Sequence, residues 1–218
     1  GSDSDADDLL RKADIALYHA KRGGKDCFRI FTPAMDLGVQ FRADLERGGE
    51  IEVHYQPEVG SDGRTIVGLE ALLRWIHPER GFVPPEQFIP IAEETGLIAA
   101  LGDLVLKEAC RMAGRWPDLF IAVNLSAVQF RSPDLAETII EAARCGGCRP
   151  RQIELEITES VLLEEDEVAR DILDRLRAAG FRIALDDFGT GYSSLSYLRQ
   201  FRVDKIKIDR SFTQNLGS

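Results

Sequence analysis

The 218-residue sequence predicts an α/β fold, and within that class an α/β barrel rather than an open sheet. Three observations support this prediction. Stretches with helical periodicity alternate with six strand-like stretches. The strands are almost wholly apolar, as in a parallel sheet covered by helices. Several strands end in acids or an amide, and the carboxyl ends of the strands are where an α/β barrel holds its active site.

The first segment is predicted to be an amphipathic helix at residues 5–22. It has acids in its first turn, basic residues in its last turn, and Gly23 as a stop. Residues 27–31 then have the composition of a strand. One helix and one strand are too little to fold alone, so we interpret this segment as the remnant of another domain.

From residue 51 onward the predicted elements follow in a regular order. Strands at 51–59 and 66–75 flank a turn with two glycines at residues 60–63, which predicts an antiparallel hairpin. Ser132 is expected to cap a helix that has Pro133 in its first turn. The other helices are predicted at 86–94, 100–115, 166–179 and 193–200, and the other strands at 119–125, 152–157, 181–186 and 203–208.

Composition narrows the classes of function. With 44% hydrophobic and 29% charged residues, the chain is long enough for one sizeable core with an appendage. A net charge of −10 argues against binding to a nucleic-acid polymer or to anionic lipid. The sequence contains no run of about 18 apolar residues and no signal peptide, so we expect a cytoplasmic protein without a membrane segment.

The cysteines allow two interpretations. Cys145 and Cys148 form a CGGC sequence, which is compatible with a redox or zinc half-site, but no second Cys or His pair lies at metal-finger spacing. A helix that ends in a glycine loop explains this sequence better. The three histidines are dispersed along the chain, so the sequence does not support histidine catalysis.

Oxygen donors at the strand ends predict a site for hard divalent cations. They are Glu70, Asn124, Glu156, Asp186 and Asp187. Carboxylate and amide oxygens suit Mg²⁺ or Mn²⁺, and the His and Cys ligands that zinc prefers are missing from the set. Two adjacent Asp residues can turn towards different cations, which fits a two-metal site of the kind that cleaves phosphodiesters.

Two basic residues are candidates for the same site. Lys207 is placed to orient a water molecule or to neutralise phosphate charge, and Arg74 to hold a phosphate oxygen through two hydrogen bonds. Every residue also has a structural interpretation: the Asp pair as turn formers, the Glu residues as solvated strand ends, Asn124 as a turn cap, Arg74 as the partner of a surface acid, and Lys207 as a snorkelling side chain. Their joint occurrence on successive strands favours the functional interpretation.

The motifs resemble one family closely. They are YQP at 55–57, EALLRW at 70–75, PPEQFIPIAEETGLI at 84–98, NLS at 124–126, ELEITES at 154–160, DDFGTGYSSLSYL at 186–198 and KIDRSF at 207–212. In these segments the chain is similar to the EAL family of bacterial cyclic di-GMP phosphodiesterases. The resemblance covers residues 50–216 and leads us to assign an EAL domain to residues 35–218.

The resemblance implies a modified TIM (β/α) barrel with an antiparallel first strand, which hydrolyses cyclic di-GMP to linear pGpG with Mg²⁺ or Mn²⁺. It also implies that Lys207 holds the catalytic water, and that Glu159 steadies a loop at 187–194 that links the site to dimerisation. A homodimer through residues 187–198 is therefore expected. The implied metal ligands are Glu70, Asn124, Glu156, Asp186 and Asp187, and the implied substrate contacts are Gln56, Leu72 and Arg74.

Both ends of the sequence carry expectations of their own. The first segment resembles the tail of a GGDEF cyclase domain, so residues 1–34 are interpreted as its remnant with a linker; without a GGDEF signature we expect no cyclase activity. The family continues beyond KIDRSF into further strands that supply one more ligand Glu and a Gln, and we expect the expressed protein to be longer. A catalytically silent cyclic di-GMP receptor and an interaction module are the alternatives to an active enzyme.

Overall fold

The computed structural model describes residues 3–22, 28, 30–163, 167–189 and 202–213. Short 3-10 turns lie at Ala127–Arg131 and Pro150–Gln152, and a last helical turn at Arg210–Thr213. The helices are α1 (Asp3–Arg22), α2 (Pro33–Arg47), α3 (Pro85–Thr95), α4 (Ile98–Arg115), α5 (Leu135–Gly146), α6 (Glu159–Leu163) and α7 (Glu167–Ala178). The strands are β1 (Ile51–Val59), β2 (Ile66–His77), β3 (Gly81–Val83), β4 (Phe120–Leu125), β5 (Ile153–Thr158), β6 (Arg182–Phe188) and β7 (Lys205–Ile208).

The strands form one mixed sheet in the order β1-β2-β4-β5-β6-β7, with β3 paired to β2. The pairs β2/β4, β4/β5, β5/β6 and β6/β7 are parallel. β1 and β2 are neighbours joined by the short turn at 60–65, where the Gly60 amide donates to the Thr65 carbonyl, and such a connection makes them antiparallel. The α/β class and the antiparallel first strand are confirmed. In the described part of the chain the sheet isn't closed into a barrel.

The chain separates into two compact units. One comprises residues 1–52 and 74–97, and the other residues 53–73 and 98–218. In the first unit Trp75 is fully buried against the rings of Phe41 and Phe88, and its indole N–H donates to the Asp44 carboxylate over 2.8 Å. This hydrogen bond satisfies a polar group that would otherwise be costly to bury.

The second unit owes its core to the alternation of side chains along its strands. Odd-numbered residues of β4, β5 and β6, such as Val123, Leu155 and Ile183, are fully buried and pack against α4, α5 and α7. Successive strand residues point to opposite faces, so the even-numbered residues face away from the helices. Glu70, Glu156, Asp186 and Lys207, which the sequence singles out, contact one another on this second face, which we call the site face.

Several element boundaries differ from those expected. The predicted cap at Ser132 is wrong: α5 begins at Leu135 after Asp134, and the capping box is instead formed by Ser126 with Gln129 before a 3-10 turn. Described residues in the expected 27–31 strand, such as Ile30, are not in a strand. β3 was not predicted, and the helix expected at 193–200 lies outside the described residues.

The CGGC sequence ends a helix, as expected. Gly146 is the last residue of α5, and Gly147 follows at φ 67° in the left-handed region that favours glycine. Gly146 also packs so closely on Cys110 that a Cβ there would lie 2.5 Å from the Cys110 Cβ. The described cysteines, Cys110, Cys145 and Cys148, are free thiols.

Candidate metal centre

Lys207 on β7 is the centre of a cluster of acids on the site face. Its Nζ lies 2.7 Å from Glu156 Oε2, 3.3 Å from Glu70 Oε2 and 3.5 Å from Asp186 Oδ2. The acids come from β2, β5 and β6, and the parallel pairing of β5 and β6 sets Glu156 and Asp186 near the same edge. The structure therefore brings together four of the residues that the sequence predicted for one site.

Asn124 completes this group from β4. Its Nδ2 donates to Glu70 Oε1 over 3.0 Å, and its backbone is paired with Glu156 in the β4/β5 ladder. Because this contact uses the amide nitrogen, the side-chain oxygen of Asn124 is available to bind a metal. Asn124 is exposed. The amide thus belongs to the cluster and is not an isolated turn cap.

The two adjacent aspartates lie in an irregularity of β6. Leu185 pairs with Ile206 and Phe188 with Ile208, so β6 has one more residue than β7 over this interval. Asp187 has φ 53°, in the left-handed region that Asp tolerates better than most residues. A bulge of this kind re-aims side chains at a strand end, and here it includes both aspartates.

Glu159 acts on the segment that follows the bulge. It is the first residue of α6, and its Oε1 accepts the Gly189 N–H over 2.8 Å. Gly189 has φ 102°, and a Cβ on it would lie 2.5 Å from the Phe212 ring. The segment therefore needs glycine at 189. The rest of the loop, residues 190–194, is outside the described residues.

Burial and charge shift the ionisation of the cluster. Burial raises the pKa of Glu156 to about 7, although Lys207 acts in the opposite direction. Burial, together with the charge of Asp186, also raises the pKa of Asp187. Burial opposes the charged form of Lys207, yet its hydrogen bond to Glu156 and the nearby carboxylates raise its pKa above the ordinary value. The ammonium form of Lys207 is therefore stabilised by the carboxylates around it.

The predicted substrate contacts lie on the two strands of the hairpin. Gln56 is exposed on β1, whereas Leu72 and Arg74 are half-buried on β2. Gln56 alternates with Val53 and Tyr55, which pack against the helix-side core, and Leu72 is two residues from Glu70. By the alternation of strand residues, Gln56 and Leu72 share the site face with the acids.

Sequence reasoning missed a second group of charges on the site face. Lys205 Nζ lies 2.5 Å from Glu58 Oε2 and 2.8 Å from Glu154 Oε1, and Arg182 lies 2.9 Å from Glu154 Oε2. The sequence could have indicated this group, because each of Glu58, Glu154 and Lys205 is two residues from a predicted site residue. Strand residues spaced by two lie on the same face of the sheet. The Lys205–Glu58 pair also links β7 with β1, the two end strands of the sheet, through their side chains on the site face.

The donors present fit a divalent cation. Of the described residues, Glu58, Glu70 and Glu156 bring carboxylate oxygens within 4.8 Å of one another. Glu156 is 1% exposed, and its Oε1 has no hydrogen-bond partner among the described residues. A buried, unpartnered carboxylate oxygen is costly unless a ligand satisfies it. Oxygen donors of this kind suit Mg²⁺ or Mn²⁺.

The fold and the site thus define an α/β domain with a carboxylate-rich centre at its strand ends. Residues 39–218 match the EAL domain. The chain belongs to the EAL domain family. In the described ranges, no helix combines the length and the apolar character needed to cross a membrane.

Named relatives extend this assignment. The chain is 41% identical over 223 residues to the bifunctional diguanylate cyclase/cyclic di-GMP phosphodiesterase MucR of Pseudomonas aeruginosa. The match covers 96% of this chain and 32% of MucR. It is 40% identical over 228 residues to the cyclic di-GMP phosphodiesterase PdeR of Escherichia coli, covering 99% of this chain and 34% of PdeR. The chain therefore spans about a third of the length of these curated relatives.

Two solved structures share the fold. The MucR phosphodiesterase in complex with c-di-GMP has a TM-score of 0.77 and 43% identity, over 83% of this chain and 75% of that one. BlrP1 of Klebsiella pneumoniae, solved as a manganese/c-di-GMP complex, has a TM-score of 0.65 and 31% identity, over 78% of this chain and 42% of that one.

Proposed function

We propose that this domain is a metal-dependent phosphodiesterase that hydrolyses cyclic di-GMP to linear pGpG in bacterial second-messenger signalling. The observation that supports it most directly is the convergence of Glu70, Glu156 and Asp186 on Lys207. Beside them, Glu156 Oε1 is buried and has no hydrogen-bond partner in the described part of the chain. MucR and PdeR, named for cyclic di-GMP hydrolysis, support the substrate.

Each site residue has a role in this proposal. Glu70, Asn124, Glu156, Asp186 and Asp187 hold Mg²⁺ or Mn²⁺ through oxygen atoms. Such cations polarise a phosphoryl oxygen and lower the pKa of bound water. Lys207, kept protonated by its acidic neighbours, donates hydrogen bonds that orient the attacking water or neutralise phosphate charge. Water adds to phosphorus while one phosphodiester bond of the ring breaks, and the released sugar oxygen takes up a proton.

Residues of the hairpin bind the nucleotide. Gln56 and Leu72 share the site face with the proposed metal ligands. Leu72 is two residues from Glu70 on β2, and a strand rises by about 3.3 Å per residue. Arg74 offers a planar guanidinium that can hold a phosphate oxygen through two hydrogen bonds. In this proposal these residues fix the orientation of cyclic di-GMP, and the acids act on its phosphate.

Hydrolysis of cyclic di-GMP by the purified protein, followed by chromatography of pGpG, tests the proposal. We expect turnover with Mg²⁺ or Mn²⁺ and a loss of about 100-fold or more in Glu70→Ala and Asp186→Ala, because a hard cation loses an anionic ligand. Glu167→Ala, at an exposed position of α7, should leave turnover unchanged. Near-normal activity of both ligand variants at low metal would reject the assignment.

The same assay separates the alternatives. A cyclic di-GMP receptor would bind the nucleotide without turnover, whereas an interaction module would do neither. None of the acids in the motifs is replaced in this sequence, and this favours the active enzyme over the receptor.

We also propose that residues 1–34 are the end of a GGDEF domain and a linker, and residues 35–218 the EAL domain. The match to MucR includes almost the whole chain, and MucR is named for a cyclase activity as well. We further propose a cytoplasmic location, which suits the free thiols of the described cysteines. A homodimer through residues 187–198 remains a proposal, and most of that segment lies outside the described residues.

A further inference from the structure

Glu58 on β1 lies beside the metal-site acids, although neither the sequence motifs nor the resemblance gives it a role. We infer that Glu58 is an additional carboxylate ligand of the metal centre, held in position by Lys205. This inference rests on the proposed metal dependence of the domain and concerns one residue of that site.

The first argument is distance. Carboxylate oxygens of Glu58, Glu70 and Glu156 all lie within 4.8 Å of one another. Cations such as Mg²⁺ and Ca²⁺ bind oxygen at roughly 2.0–2.6 Å, so ligands on opposite sides of a cation are separated by roughly 4–5 Å. The three carboxylates therefore have the spacing of ligands to a shared cation.

The second argument is the state of the oxygens. Glu58 Oε2 accepts from Lys205, whereas Glu58 Oε1 is buried and has no hydrogen-bond partner among the described residues. Glu156 Oε1 is in the same condition on a side chain that is 1% exposed. Two buried oxygens in one cluster, neither with a partner in the described ranges, indicate a position for a ligand, because native proteins satisfy nearly all such atoms.

The third argument is charge. In the described part of the chain, ion pairs on the site face join five acids to three cations. The acids are Glu58, Glu70, Glu154, Glu156 and Asp186, and the cations are Arg182, Lys205 and Lys207. Five negative charges less three positive charges leave an excess of two negative charges among these residues, which favours binding of divalent cations.

Lys205 explains why Glu58 stays in place without a metal. Its Nζ bridges Glu58 Oε2 at 2.5 Å and Glu154 Oε1 at 2.8 Å, and it lies 5.0 Å from the centre of the Phe120 ring. The lysine thus fixes one oxygen of Glu58 and leaves the other for a cation. The competing interpretation is that Glu58 only neutralises Lys205.

Titration of the protein with Mn²⁺ in the absence of nucleotide, with free Mn²⁺ measured by electron paramagnetic resonance, separates the two interpretations. The decisive variant is Glu58→Gln/Lys205→Met, which removes one negative and one positive charge and so keeps the net charge of the site face. We expect its Mn²⁺ affinity to fall about tenfold or more. Glu58→Gln alone should weaken binding at least as much, and Glu167→Gln should not change it.

Two results would overturn the inference. If both Glu58 variants fold, as judged by circular dichroism, and bind Mn²⁺ like the parent while Glu70→Gln binds it weakly, Glu58 only neutralises Lys205 and the metal centre stands. If the parent fails to bind Mn²⁺, the metal centre itself is wrong and the inference fails with it. Should Glu58→Gln not fold, the double variant, which leaves no unpaired lysine, gives the answer.

Discussion

Lys207 shows how a single residue allows several acids to be buried together. Three carboxylates close to one another repel, and water is largely excluded from Glu156. The ammonium of Lys207 contacts Glu156, Glu70 and Asp186, so it offsets part of this repulsion when the site holds no metal. The compensation is incomplete, because the pKa of Glu156 is still raised to about 7.

The raised pKa of Glu156 predicts a pH-dependent stability of the metal-free protein. The folded state binds the Glu156 proton more tightly than the unfolded state does, where the pKa is about 4.5. This stabilising contribution is complete below pH 4.5 and is lost as the pH rises through 7. The free energy of unfolding of Glu156→Gln should therefore increase relative to the parent between pH 5 and pH 8, as measured by urea denaturation with a chelator present.

The matched control is Glu167→Gln, whose difference from the parent should stay constant over the same pH range. A constant difference for Glu156→Gln would contradict the prediction. Excess Mn²⁺ should reduce the difference at pH 8, because the parent then gains a ligand that the variant binds poorly.

At the scale of elements, one hydrogen bond links the start of α6 to the residue that follows the bulge of β6, and we propose that it supports the loop that begins there. Glu159 reaches from the start of α6 to the Gly189 amide. Glu159→Ala removes this acceptor without removing a proposed ligand, so we expect a weaker response of turnover to Mg²⁺ and substrate that extra Mg²⁺ partly rescues. Glu159→Gln keeps an acceptor oxygen and should retain more activity. Identical metal titrations for Glu159→Ala and the parent would count against this role.

Close packing of β2 on β4 gives a second prediction for an element. A Cβ on Gly68 would lie 2.4 Å from the Phe120 ring, and the Arg182 guanidinium lies over the same ring, 4.8 Å from its centre. We expect Gly68→Ala to lower the free energy of unfolding by about 1–3 kcal/mol, measured by urea denaturation, and Phe120→Leu to restore part of the loss. Gly114→Ala, in α4 where a Cβ would lie at an ordinary contact distance of 3.6 Å from the Gly146 carbonyl oxygen, should be neutral or stabilising. Additive losses for Gly68→Ala and Phe120→Leu would contradict the clash.

Local patterns predicted six of the seven described strands, most helices and several acids of the site face, because alternation and helical periodicity depend on neighbouring residues. The Ser132 cap was wrong although the SAVQ sequence at 126–129 contains the capping box. Glu58 was missed for a different reason: its partner Lys205 is 147 residues away. That contact depends on the tertiary placement of β1 and β7, which no local pattern reveals. The bulge at Asp187 likewise depends on the pairing of β6 with β7.

For the molecule as a whole, charge and metal binding are linked. Because the net charge is −10, any added salt stabilises the folded protein to some extent by screening the repulsion between surface acids. A specific centre differs from this background, because binding to the folded state alone stabilises it by mass action. The two effects differ in the concentration of cation that they need and in the residues on which they depend.

A thermal titration distinguishes them and provides the last prediction. We expect the melting temperature of the parent to rise with the logarithm of Mn²⁺ concentration, since a ligand at about 100 times its Kd stabilises a folded protein by about 2.7 kcal/mol. The experiment is run at constant ionic strength, set with KCl, so that general screening does not change. Asp186→Ala should lose most of the rise, and Glu167→Ala should keep it. An equal rise in Asp186→Ala and the parent would show that Mn²⁺ acts through the overall negative charge, and the carboxylates of the site face would then not form a metal centre.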